Sequence, residues 1–146
     1  METITVERTI PAPIDRVFEW CAVTTNYERS PWVLRDTLTR PGEDAPWGVG
    51  ALRKHTWLLG RFHERITAYD APHSYAYTVD RSFPPSRHEG GRMTFTEVPT
   101  GTHVTWTTTT EAALPLAAPF ITRHLAKPVI AHVFGRILDA CAADLG

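Results

Sequence analysis

The segment RKHTWLLGRFHER, residues 53 to 65, crowds guanidinium, imidazole and carboxylate groups around a Leu-Leu-Gly turn. Read as two short strands, it sends alternate residues to opposite faces, so either Arg53, His55 and Trp57 or Lys54 and Thr56 look inward. Trp57 is the costliest to expose and selects the first set, although Leu52 argues the other way. On the second strand Phe62, Glu64 and Ile66 share the inner face, which turns Arg61, His63 and Arg65 outward. Interior polar groups need partners or water. Arg53 and Glu64 are therefore either a structural ion pair or, with His55, part of an acid-base site in a wet cavity. Imidazole is the side chain that titrates near neutrality, and Glu64 could serve as a base if desolvation raised its pKa.

Other chemistries find no foothold. Seven histidines include no HxH or HExxH spacing, and strand parity sends His63 and His103 outward, so no metal site is expected. No GxSxG elbow carries a hydrolase triad. The GVG at 48 to 50 lacks the third glycine of a dinucleotide fingerprint and reads as a turn, so no cofactor is expected. Cys21 and Cys141 have no CxxC partner and read as buried free thiols.

The 146 residues suit a single domain, 1 to 146. Fifteen basic residues against sixteen acidic ones leave a formal charge of −1 with no block of like charge, which gives no support to capture of nucleic acid or anionic membrane. The opening METITVERTI is not a secretory leader, and no apolar run approaches the ~18 residues of a membrane span, so a soluble, cytoplasmic protein is expected.

Patterning supplies the elements that must position these groups. Residues 3 to 10 alternate as a strand, and PAPIDRVFEWCA spaces Ile14, Val17, Phe18 and Cys21 on one helical face. Thr24 or Thr25 could cap a second brief helix. WVLRDTLTR returns to strand alternation, Trp32, Leu34 and Asp36 against Val33, Arg35 and Thr37, before the Pro/Gly loop 41 to 50. From Ala51 to Glu111 about five segments follow one another, with turns at LLG, DAPH, DRSFPPSR and PTGT, as an antiparallel meander would. The chain then turns helical to its end. Ile130, Val133, Phe134, Ile137, Leu138 and Cys141 form one stripe, whereas Phe120, Ile121 and Leu125 define another, rotated by well over ~90°. Pro128 cannot hydrogen-bond back to His124, so a kink there is expected, with His124 facing inward from the upstream stripe.

TIPAPIDRVFEW, NYERSPW, GVGALRK, ERITAYDAPHSYAYTV and GTHVTWT, followed by a long terminal helix, resemble the START/Bet v 1-like (SRPBCC) superfamily, specifically its polyketide cyclase/dehydrase and lipid-transport proteins. The resemblance runs from Ile4 to Leu145. It implies an α+β helix-grip: a curved seven-stranded antiparallel sheet wrapped around the C-terminal helix, with two short helices after the first strand and a deep, largely apolar cavity. YERSPW, with extra residues before Trp32, and Pro128 in the closing helix depart from the common pattern.

Parity within that fold assigns a mixed wall. Tyr75 and Tyr77 share one face, Met93 and Phe95 are an inner pair, and Val104, Trp106 and Thr108 point inward. With Trp32, Trp57, Phe120 and Phe134 they supply apolar area, while Arg53, His55, Glu64 and His124 are sparse polar groups, a lining of the kind small-molecule sites have. Core packing is the competing reading of the same aromatic stripe. Two functions follow from the resemblance: binding of a small hydrophobic molecule (lipid, polyketide or isoprenoid-like), or a cofactor-independent cyclase, aromatase or dehydratase. In the second, Arg53 or a Tyr would polarise a carbonyl while His55, His124 or Glu64 moved the proton beside it. Trp47, expected to be exposed in its loop, would mark an entrance lid or a homodimer contact.

Overall fold

A computed structural model describes residues 1 to 146. The strands are β1 (Glu2–Ile10), β2 (Val33–Arg40), β3 (Leu52–Trp57), β4 (Gly60–Asp70), β5 (Ser74–Phe83), β6 (Ser86–Val98) and β7 (Gly101–Ala112). They form one antiparallel sheet in the order β1-β7-β6-β5-β4-β3-β2. Between β1 and β2 lie α1 (Ile14–Ala22) and a 3-10 helix, Thr24–Arg29. The closing helical segment comprises α2 (Ala118–Ile121), a π-helical turn (Thr122–Ala126) and α3 (Lys127–Leu145). The α+β helix-grip architecture is therefore present, and no helix is long and apolar enough to cross a membrane.

Sheet curvature comes from register shifts in β2, β4, β5 and β6, where an extra residue bends a strand. These bulges also change which side chains face inward. In β2 a shift between Val33 and Arg35 leaves Leu34 exposed and buries both Val33 and Asp36, so the alternation expected for this strand breaks. In β6 the shift between His88 and Gly90 exchanges the inner face from the Met93 parity to that of Ser86 and His88. The turn read at DRSFPPSR is much tighter than its composition suggests, because β5 runs to Phe83 and β6 resumes at Ser86.

The stripe on α3 is the keystone: Val133, Phe134, Ile137, Leu138 and Cys141 are at most 5% exposed, each worth roughly 1.5–3 kcal/mol of apolar burial for the larger side chains. Cys141 meets Cys21 of α1, whose thiol is pushed up in pKa by burial and then by this neighbour; both are free. The upstream stripe behaves differently. Phe120 and Leu125 are 63% and 61% exposed, and His124 is exposed too, so the inward position expected for His124 and Phe120 is not adopted. The reason is the π turn, whose extra residue rotates the upstream helix by about 100° relative to α3. Thr122 takes the inner side instead, accepting from the Ala112 N–H at 2.9 Å and donating to the Ala118 carbonyl at 2.7 Å. The break expected at Pro128 is thus resolved in the turn just before it.

Candidate functional site

Cross-strand pairing brings the polar inner residues together. Asp36 of β2 lies opposite His55 of β3, and Arg53 of β3 opposite Glu64 of β4. His55 Nδ1 contacts Asp36 Oδ1, Trp57 Nε1 donates to Asp36 Oδ2 at 3.1 Å, and His55 Nε2 lies 2.7 Å from Glu64 Oε1. Arg53 Nη2 donates to the same Glu64 oxygen, and the guanidinium carbon sits 5.3 Å and 5.7 Å from the ring centres of Tyr75 and Tyr77. Nε and Nη1 of Arg53 are buried without a hydrogen-bond partner, so these aromatic faces are its remaining compensation.

Two cations and two anions make this buried cluster neutral overall, and its charges set each other's titration. Burial alone would lower the His55 pKa, but the carboxylates of Glu64 and Asp36 outweigh it and raise it to about 9. Burial likewise opposes ionisation of Glu64, yet His55 and Arg53 bring it down to about 2. Desolvation prevails at Asp36, whose pKa is raised despite His55. Near neutrality His55 is thus an imidazolium using both N–H groups as donors, and it has no lone pair with which to accept a proton. Glu64 is an ionised carboxylate, so the condition on which it could serve as a base, a pKa raised by desolvation, is not met.

Most of the predicted aromatic wall is packed solid. Phe18 of α1 meets Tyr75 and Phe95 edge-on at 6.1 Å and 5.1 Å. Tyr27 and Tyr75 both donate to the Cys21 carbonyl, at 2.7 Å and 3.0 Å, and Met93 is fully buried beside them. Trp106 stacks on Phe134 with centroids 3.7 Å apart and donates to the Tyr77 hydroxyl at 2.9 Å. Tyr75, Met93, Phe95 and Trp106 therefore face the protein's own rings, and they line neither of the two spaces under the closing helix. Trp32 is half-buried against His132 of α3, and Phe120 packs against His124 at the surface with the rings tilted, 4.5 Å between centroids. Trp47 is half-buried in an open groove with Phe18 and Tyr69, at the end of β3 opposite the Leu58 turn, so it is not an entrance lid.

The deep cavity expected under the helix is reduced to an inner chamber of about 60 Å³. Trp57, Phe62, Tyr77, Val79, Ile130 and Phe134 wall it, with Glu64, His88 and Thr108 as polar contributors. A vestibule of about 270 Å³ adjoins it, sharing Leu59, Phe62, Ser86, Thr110 and Ile130 and adding Pro84, Pro85, Leu125 and Val129. Both short contacts to Glu64 fall on Oε1, which leaves Oε2 without a protein partner where the residue borders the chamber. His88 is held neutral by burial. Its Nδ1 accepts from the Val79 N–H at 3.1 Å, so Nε2 carries the proton and donates to Thr108 Oγ1 at 2.6 Å. Parity overlooked His88 and Asp36, because a bulge leaves no mark on alternation; the Gly-Gly pair at 90 and 91 is the signal that could have located the first.

Gly91 has a distinct task. A Cβ there would lie 2.1 Å from the Tyr77 ring, so the missing side chain is what lets that ring lie flat against β6. Gly91→Ala is expected to lower the unfolding free energy by ~1–3 kcal/mol through overpacking, read from the urea midpoint. An unchanged midpoint would mean that Tyr77 relocates freely.

The description "Polyketide cyclase / dehydrase and lipid transport" belongs to the protein family whose sequence pattern matches residues 1 to 146. No relative among curated proteins matches the sequence. The crystal structure of TTHA0849 from Thermus thermophilus is similar at a TM-score of 0.81 and 16% identity, covering 99% of this chain and 97% of the other. A START superfamily protein from Mycobacterium smegmatis gives 0.77 at 9% identity over 98% and 96%. Ara h 8.0201, of Bet v 1 type, gives 0.68 at 16% identity over 97% and 98%. At such identities the likeness carries the fold alone.

Proposed function

We propose a function on one premise: this chain belongs to the polyketide cyclase/dehydrase and lipid transport family. It binds a small hydrophobic molecule, lipid, polyketide or isoprenoid-like, between the sheet and the closing helix. The observation that carries this reading is the unpartnered Glu64 Oε2 in the wall of a mainly apolar chamber that opens into a larger, mainly apolar vestibule. A ligand with one hydroxyl or other donor at its tip would reach that oxygen while its apolar body filled the vestibule. Affinity would come from buried area and orientation from the single polar contact. Together the two spaces approach the low end of the ~300–1,000 Å³ usual for such sites, which favours a slim ligand or one ring with a chain.

A cyclase or dehydratase acting in the same space has less support. His55 has no free lone pair, His88 Nδ1 is occupied by a backbone N–H, and a carboxylate titrating at about 2 is a weak base. His124 lies at the surface, away from the chamber.

Native mass spectrometry of freshly purified protein tests the binding reading. The expected result is a co-purified apolar species, or stoichiometric uptake of an added long-chain alcohol, that Glu64→Gln weakens about tenfold. A bare chain that takes up no apolar compound would overturn it.

A further inference from the structure

Six of the nine large apolar side chains exposed at the surface collect at one end of the molecule. Leu58 sits on the β3–β4 turn, Phe83 at the β5–β6 turn, Leu114 and Leu116 after β7, and Phe120 and Leu125 on α2 and the π turn. Contacts tie these elements into one rim. A Cβ on Gly60, whose φ is +143°, would lie 2.1 Å from the Phe83 carbonyl, and the Ala113 N–H donates to the Pro85 carbonyl at 3.0 Å. Leu59, Pro84, Pro85 and Leu125 enclose the vestibule from the same side. This rim therefore surrounds the mouth of the chamber.

A second, independent feature borders it. On the outer face of the sheet Lys54 pairs across strands with His63, and His63 with Arg81, while Arg61 lies opposite Phe83. Together with Ser82 and Phe83 these four basic residues enclose a recess of about 260 Å³ that contains no carboxylate. Lys54, Arg61 and Arg81 make no ion pair, and the nearby Asp80 is taken by Arg65 at 3.1 Å. His63 is lowered in pKa by burial and then by Arg81, Lys54 and Arg61, as a uniformly positive surface requires. The bulge in β5 opposite His63 and Glu64 turns Arg81 and Phe83 to this face, and the Arg61 guanidinium lies 6.0 Å from the Phe83 ring. At ~3.3 Å per residue, Arg81 and Arg61 stand within about 10 Å of the hairpin tips, comparable to the depth of a lipid headgroup layer.

We propose that this end of the molecule docks onto anionic lipid bilayers, with the apolar rim entering the interface and Lys54, Arg61 and Arg81 lying against the phosphates. Apolar side chains beside unpaired cations are the combination that interfacial binding uses. An overall charge of −1 conceals it, because net charge is a sum over the whole surface, whereas the recess itself is lined by no carboxylate and the neighbouring Asp80 is already paired with Arg65. The inference goes beyond the binding reading and stands without it, since vesicle association is measured with no ligand in the chamber.

The test is flotation of the full chain with phosphatidylcholine vesicles, with and without about one-third phosphatidylglycerol. Wild type is expected to float with the anionic vesicles only, and to be released at about 1 M salt. The doubly substituted Lys54→Glu/Arg81→Glu and Phe83→Ser/Leu116→Ser proteins, all four sites being at or near the surface, should each bind at least about tenfold more weakly while keeping the wild-type circular dichroism spectrum. No flotation, or equal flotation with neutral vesicles, overturns the proposal. So does a dimer in sedimentation velocity that Phe83→Ser/Leu116→Ser dissolves, which would assign the rim to a second copy. Loss of vesicle binding to millimolar free phosphate, with Phe83→Ser/Leu116→Ser still bound like wild type, would reassign the recess to a small anion and overturn it as well.

Discussion

Glu64→Gln is expected to lower the unfolding free energy by about 3–5 kcal/mol, the range found when one partner of a buried ion pair is removed. The substitution preserves shape and deletes charge, leaving Arg53 and His55 with Asp36 as their only anion. For a chain of this length that corresponds to a melting temperature lower by roughly 10–16 °C. Replacing Asp36, Arg53, His55 and Glu64 together with apolar residues of similar volume should cost less than Glu64→Gln alone, since no orphan charge is left behind. A single substitution no more harmful than the full replacement would show that the cluster is not acting as a unit.

The same cluster gives the wild-type protein a pH signature. His55 has a folded pKa of about 9 against an ordinary 6.5, so its contribution is complete below about pH 6.5 and vanishes as pH rises through about 9. Glu64 has a folded value of about 2 against 4.5, so its contribution is complete above about pH 4.5 and is lost as pH falls through about 2. Asp36 acts in the opposite sense, because a raised carboxylate pKa makes its ionisation unfavourable in the folded state. Thermal unfolding across pH should therefore show a maximum near pH 5–6. In Glu64→Gln the alkaline fall should move to lower pH as His55 loses the anion that raises its pKa most. A flat profile, or an alkaline limb that stays in place, would show that His55 is not held as an imidazolium by Glu64.

Ile130→Trp is the second large expected effect, on binding. Ile130 is the α3 side chain common to the inner chamber and the vestibule, so an indole there obstructs the passage between them. Affinity for an uncharged naphthylamine probe should fall at least about 100-fold, close to 3 kcal/mol. Ile130 is only half-buried, so the larger side chain can be accommodated without rupturing the core. Ile130→Ala should widen the same passage and leave affinity within about threefold of wild type while exchange quickens. Equal probe affinity in wild type and Ile130→Trp would exclude this space as the binding site.

How much of this was legible in the chain depends on how local the controlling physics is. The inward placement of Arg53, His55, Trp57, Glu64, Tyr75, Tyr77, Met93, Phe95 and Trp106 followed from strand parity, a rule that needs only neighbouring residues. The α3 stripe followed from helical periodicity, and the resemblance supplied the strand count and the closing helix. Parity ceased to apply where a strand bulged. That is why Asp36 and His88 were overlooked, and why one extra residue in the π turn moved Phe120 and His124 to the surface.

Alternation and helical period settled which side chains turn inward, because both are carried by the backbone repeat. They did not settle how much room those side chains leave, which depends on whether Trp106 meets Phe134 and Tyr75 meets Phe18 after the sheet has curved. Protonation lay beyond them too: His55 is cationic because strands distant in sequence bring two carboxylates against its ring. Volume and charge state are sums over neighbours assembled from the whole chain, and those neighbours exist only once the sheet has closed around its helix.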